Sequence, residues 1–244
     1  WGQNSNGQLG LGNTTSRSSP VQVGTLTDWS RVAGGAQFSL AVKTNGTLWA
    51  WGQNTSGQLG LGNTTNRSSP VQVGTLTTWL KVAAGYNFVI AVKTDGTLWS
   101  WGSGGNGKLG HNNTTTYSSP VQVGALTGWA TPAAGNSHSA ATTTSGALYT
   151  WGYNGYGQLG LGTTVTQSSP VQVGALTNWY QIQLGSNLAS SIKTDGTLWT
   201  WGRNAFGALA QGNTTNYSSP VQVGSLTTWD SLAMSAALFG IKTS

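Results

Sequence analysis

The chain has 244 residues and a formal charge of +6, from ten Lys and Arg against four Asp and no Glu, and only 6% of its residues are charged, against roughly 25% in an ordinary globular protein. The lack of cysteine excludes disulfides, thiolate metal sites and cysteine nucleophiles. No stretch approaches the roughly 20 apolar residues of a membrane span, so no membrane insertion is expected, and the basic residues form no polybasic run, so nucleic acid is not an expected partner.

In chain order, the first element is an irregular glycine-rich stretch, WGQNSNGQLGLG at residues 1–12, followed by SSPVQVG from Ser18 to Gly24. That string returns at Ser68, Ser118, Ser168 and Ser218, a period of 50, so five repeats fill the chain: 1–50, 51–100, 101–150, 151–200 and 201–244. Within the second repeat the pattern predicts strands at Pro70 to Val73, Leu80 to Ala84, Phe88 to Lys93 and Thr97 to Trp101. Asp95-Gly96 lies between the last two, and such a pair between apolar runs marks a hairpin, because both residues tolerate positive φ. Asn45-Gly46, Ser145-Gly146 and Asp195-Gly196 are its equivalents. Nothing shows helical periodicity over the ten or so residues a helix needs.

Four short strands in each repeat predict an all-β fold, a β-propeller of four-stranded blades. One domain over residues 1–244 is expected, and two accounts fit its ends: closure as five blades, with Trp1 onwards completing the sheet begun near Trp229 and so removing exposed edges, which is the reading favoured, or a piece of a longer array. The tryptophans support this reading. Trp1, Trp51, Trp101, Trp151 and Trp201 form one column, Trp29, Trp79, Trp129, Trp179 and Trp229 a second, and Trp49, Trp99 and Trp199 a third in which Tyr149 substitutes. A ring at the same place in each repeat is explained by packing between blades, where a large aromatic buries about 150–250 Å².

No residue set fits catalysis, a metal or a cofactor, and the chain is not expected to be an enzyme. The carboxylates are Asp28, Asp95, Asp195 and Asp230, and the hairpin role of Asp95 and Asp195 explains them without an acid/base pair. His111 and His138 lack the further ligands zinc requires. A Ser or Thr nucleophile would have His138 alone as its base. GQLGLG lacks the Lys-Ser/Thr of a phosphate loop, and its glycines read as places of positive φ or close backbone approach. Lys43, Lys93 and Lys193 share one repeat position and read as solvated loop charges. The sequons at Asn13, Asn63 and Asn213 recur because the loop recurs.

The segments WGQNSNGQLGLG, WGQNTSGQLGLG and WGYNGYGQLGLG, followed by SSPVQV and closed by GTLWSWG, resemble the regulator of chromosome condensation repeat family along the whole chain. The resemblance implies a propeller of four-stranded blades, generally seven, and for some members nucleotide exchange on a small GTPase or association with chromatin. Many family repeats carry a His in a GxxH segment; the matching residues here are Phe38, Phe88, His138 and Leu188. Ultraviolet-B photoreception, which the resemblance would place in a Trp- and Arg-bearing segment there, is disfavoured because GAQFS, GYNFV, GNSHS and GSNLA hold neither residue.

With a nearly invariant framework, individual character resides where repeats differ. One such column is Arg17, Arg67, Tyr117, Gln167 and Tyr217, in the loop before SSPVQV; another holds Tyr153 and Arg203, with Tyr156 and Phe206 close behind. Tyr and Arg are enriched at interface hot spots, so these nine residues are the candidate binding residues. The expected function is a non-enzymatic protein-interaction or structural scaffold on a secreted, cell-surface or virion assembly, with a protein as partner. Two alternatives stay open: a multivalent, lectin-like glycan-binding propeller, and a nucleotide-exchange or chromatin-associated factor by family analogy.

Overall fold

The structure, a computed structural model, describes residues 1–25, 27–234 and 238–242, with side chains described as far as residue 232. Strands β1 (Trp29–Gly34), β2 (Phe38–Lys43), β3 (Leu48–Gly52) and β4 (Arg67–Gln72) form one sheet in that order. The next sheets are β5 (Trp79–Ala84), β6 (Phe88–Lys93), β7 (Leu98–Gly102), β8 (Tyr117–Gln122), then β9 (Trp129–Ala134), β10 (His138–Thr143), β11 (Leu148–Gly152), β12 (Gln167–Gln172). Strands β13 (Trp179–Leu184), β14 (Leu188–Lys193), β15 (Leu198–Gly202) and β16 (Tyr217–Gln222) form the fourth, and β17 (Trp229–Met234) pairs with β18 (Leu238–Lys242). Neighbouring strands are antiparallel throughout.

The sheets are out of step with the sequence repeat. The fourth strand of each complete sheet comes from the following repeat, so β5 is joined to Tyr117–Gln122 and not to Pro70–Val73. The tight Asp-Gly hairpin fixes the central pair, with Lys93 N–H donating to the Thr97 carbonyl at 3.1 Å, and the chain then needs the long irregular loop to return antiparallel. One consequence corrects the sequence reading: Arg67, Tyr117, Gln167 and Tyr217 open the outermost strands, each opposite a glycine (Gly52, Gly102, Gly152, Gly202), instead of lying in a loop. Arg17 faces Gly2 in the same way, as an isolated bridge.

The chain divides into two compact units, Trp1–Gly104 with Thr115–Thr127, and Gly105–Thr114 with Gly128–Ser244. The first has a core around Leu40, Leu48, Leu59, Val89 and Trp101, and the second one around Leu148, Ile182, Ala189 and Trp201. Strand β6 is buried at all six positions, which is why its sequence, FVIAVK, runs apolar instead of alternating.

Within each unit, the loop between the third and fourth strands of one sheet latches onto the next. The indole Nε1 of Trp101 donates to the Gln58 carbonyl at 3.0 Å, that of Trp151 to Lys108 at 2.9 Å and that of Trp201 to Gln158 at 3.0 Å. Gly62 N–H donates to the Ser118 carbonyl and Gly162 N–H to Ser218, both at 2.8 Å. Two glycines make the approach possible. A Cβ on Gly57 (φ +73) would lie 2.5 Å from Ser118 Cα, and one on Gly60 would lie 2.8 Å from the Trp101 Nε1. The loop itself is held by fully buried asparagines: Asn54 Nδ2 donates to the carbonyls of Asn63 and Thr65 at 2.9 and 3.1 Å, while its Oδ1 accepts from Leu59 N–H at 2.9 Å.

Three columns of rings were expected to pack. Trp101, Trp151 and Trp201 are fully buried, and Trp79, Trp129 and Trp179 are 3% exposed. Trp1 departs from this, being 73% exposed.

Candidate interaction surface

The shared lysine position is not a solvated loop charge. Lys43, Lys93 and Lys193 end the second strands of their sheets and are 5–7% exposed. Lys93 Nζ lies 3.4 Å from the Trp99 ring centroid and 4.9 Å from that of Trp79, and Lys193 Nζ lies 3.6 Å from Trp199 and 4.7 Å from Trp179. The two rings meet edge to face, 6.1 Å apart in one sheet and 6.3 Å in the other. A desolvated cation over such rings contributes about 2 kcal/mol, and the apolar stem packs along them.

The hairpin completes this corner. Asp95 Oδ1 accepts from Thr97 N–H at 2.9 Å and from Thr97 Oγ1 at 2.6 Å, and Thr97 Oγ1 accepts from Trp99 Nε1 at 2.8 Å. The Thr97 hydrogen bonds, ahead of the Lys93 charge, hold the Asp95 carboxyl below its usual range, and Asp195 is held down in the same way by Thr197. Both aspartates therefore serve the turn. In the first repeat Asp28 Oδ2 sits 3.3 Å from Lys43 Nζ, and the ammonium stands 4.7 Å from Trp49. The third repeat replaces all four members together, with Thr143, Ser145, Ala147 and Tyr149, and Thr143 Oγ1 instead pairs with Ser145 Oγ at 2.8 Å.

Beside these corners run three equivalent grooves of about 580, 530 and 460 Å³. Each is walled by a VQVG segment, by the second- and third-column tryptophans and by a Ser-Pro pair of the next outer segment. Arg17 lines the first, Arg67 the second and Lys193 the third.

The second variable column forms a different surface. Tyr153 and Tyr156 meet edge to face at 6.2 Å, and Arg203 Cζ stands 5.1 Å over the Tyr156 ring. Phe206, at the equivalent turn of the next repeat, is 98% exposed and held at φ 68, a left-handed conformation uncommon for a bulky residue. The other candidates separate from this group: Tyr117 packs partly against the first core, and Tyr217 Oη accepts from Asn213 Nδ2 at 2.9 Å. Gln167 begins β12.

His138 is a core residue, fully buried, its ring covering Gly135 so closely that a Cβ there would lie 2.6 Å from Cε1. Burial lowers its pKa to about 4, opposed in part by the Leu188 backbone. Burial likewise lowers Lys108 to about 8. Among the described residues, no group of three or more His, Cys, Asp or Glu is placed to hold a metal ion. The sequence reading missed the leucine in the turn after VQVG: Leu76, Leu126, Leu176 and Leu226 are 45–48% exposed. The signal was there, an apolar residue kept inside turn chemistry in every repeat.

The family model for the regulator of chromosome condensation (RCC1) repeat matches residues 1–42, 45–92, 95–142, 145–191 and 195–236. No curated protein matches the sequence. Among solved structures, human WBSCR16 superposes with a TM-score of 0.84 at 22% identity, covering 99% of this chain and 66% of that one. Yeast RCC1 (Prp20), solved bound to Kap60, gives a TM-score of 0.85 at 20% identity over 98% of this chain and 61% of that one. Prp20p from Saccharomyces cerevisiae, described with its binding properties to Gsp1p and histones, gives 0.81 at 19% identity over 94% and 60%. The chain thus spans 60–66% of the length of these proteins, and the likeness concerns the fold.

Proposed function

The chain belongs to the regulator of chromosome condensation repeat family, and on that premise we propose that it works as a non-catalytic protein-interaction propeller. The observation that carries the reading is the group of turn residues Tyr153, Tyr156, Arg203 and Phe206: the two tyrosines meet edge to face, Arg203 lies over the Tyr156 ring, and Phe206, three residues on from Arg203, is 98% exposed. Aromatic and Arg residues on preformed turns are the types that anchor protein interfaces. The structural neighbours described as binding Gsp1p, histones or Kap60 support a protein as the class of partner. Fold alone does not carry an exchange activity across, because function resides in a site.

The test is comparative capture with the full chain and a Tyr156→Ser, Arg203→Ser, Phe206→Ser variant. Partners held by the parent chain should be lost from the variant at unchanged thermal stability. An identical set of retained proteins would refute the assignment of this surface, and accelerated nucleotide release from a small GTPase would favour the exchange reading instead. We further propose that the five repeats act as one domain closed as a five-bladed ring, the arrangement that leaves the fewest sheet edges open.

A further inference from the structure

The three grooves are equivalent in construction and distinct from the Tyr-Arg-Phe turn surface. Their walls are mainly apolar: Leu76, Trp99 and Pro120 line the second, and Leu176, Trp199 and Pro220 the third. At each mouth stands a half-exposed aliphatic residue, Val21 at 48%, Leu76 at 45% and Leu176 at 48%. Leaving these side chains in water forfeits the burial that about 25 cal/mol per Å² would reward, and a volume of this size suits a ligand site. Each groove has one cation among its described lining residues, Arg17, Arg67 or Lys193, and no carboxylate.

The second and third grooves also run along unpaired strand edges. Strands β4 and β12 end their sheets, so their outer backbone groups face no strand among the described residues. The first half of each edge is closed. Ser68 accepts from Gly12 N–H and Ser168 from Asn112 N–H, both at 2.8 Å, and Pro70 and Pro170 offer no N–H. What stays open is Gln72 and its equivalent Gln172, since Val73 and Val173 pair inwards with Leu48 and Leu148 and backbone groups alternate sides along a strand; both glutamines wall their grooves.

Resting on the interaction-module reading, we propose that these grooves are docking sites for an extended acidic segment of a protein partner. At the second groove its backbone adds beside the open edge, an aliphatic side chain enters between Leu76, Trp99 and Pro120, and a carboxylate meets Arg67. The first groove repeats the cation with Arg17, and the third repeats the open edge and the apolar walls. The charge balance selects an anionic segment. The open edge, which offers backbone groups for strand addition, selects a peptide over a neutral sugar. The first and second grooves, which lie in successive repeats of one compact unit, would hold successive parts of one partner, raising its avidity.

The test uses the full chain and a fluorescein-labelled synthetic peptide of alternating leucine and aspartate, followed by fluorescence anisotropy at low salt. Controls are the leucine-lysine and serine-aspartate counterparts and a neutral glucan oligosaccharide. Val21→Asp, Leu76→Asp and Leu176→Asp combined place a carboxylate at each mouth on residues about half exposed, so thermal melting should change little. The expected result is saturable binding of the leucine-aspartate peptide alone, about tenfold weaker in the triple variant and weaker again with added salt. Equal binding of the leucine-lysine peptide, unchanged affinity in the triple variant, or displacement by the oligosaccharide would overturn the proposal. A partner retained by the triple-Asp variant yet lost from the Tyr156, Arg203 and Phe206 variant would overturn the groove assignment and leave the interaction module standing.

Discussion

Replacing His138 by Phe isolates one buried titrating group, and the molecule contains its own controls. Phe38 and Phe88 occupy the equivalent place in the first two repeats, 1% and 0% exposed, and Phe38 lies over Gly35 as His138 lies over Gly135. An unfolded histidine titrates near 6.5; His138 in the folded chain titrates at about 4, chiefly because burial penalises its charged form. Between those values the unfolded chain takes up a proton that the folded chain refuses. The stability tied to the neutral ring is therefore fully present above about 6.5 and is lost as pH falls towards 4. At about 1.4 kcal/mol for each pH unit across that gap, the loss reaches about 3 kcal/mol. Urea unfolding of both chains at several pH values between 7 and 4 measures it. Asp95 and Asp195, whose carboxyls are held low by Thr97 and Thr197, are present in both proteins, so their acid sensitivity cancels in the difference. The stability of the parent relative to His138→Phe should fall by about 3 kcal/mol over this range. A difference that stays constant with pH would refute the reasoning.

Gly157→Ala should destabilise the chain by more than about 2 kcal/mol in denaturant titration, because positive φ opposes a Cβ and that Cβ would stand 2.5 Å from Ser218 Cα at φ +78. A loss below about 0.5 kcal/mol, the range of an ordinary surface change, would show that the loop does not dock on the outer strand in solution. Closure into one domain predicts a single cooperative unfolding transition, coincident by tryptophan fluorescence and far-ultraviolet circular dichroism. Two separated transitions would instead identify the two compact units as independently folding parts.

The nine candidate binding residues show where residue type stops being informative. All vary on a constant frame, yet Tyr153, Tyr156 and Arg203 come together in one cluster while Tyr117 packs against a core. Variation identifies freedom from the repeat's framework. It does not say whether that freedom faces a partner, a neighbouring strand or solvent.

By itself, the sequence determined the period, the number and approximate place of the strands, the Asp95-Gly96 hairpin and the positive φ of the GQLGLG glycines, because each depends on residues adjacent along the chain. The tertiary structure alone decided the features that join one repeat to another. The Trp101 indole finds its acceptor on Gln58, 43 residues away, and the fourth strand of each complete sheet is supplied by the next repeat. It also decided the fate of Lys93, whose type predicts solvent exposure and whose ammonium rests on two rings. Local propensity acts over a turn or a strand, whereas burial and cation–ring contact depend on which distant surfaces the folded chain presses together.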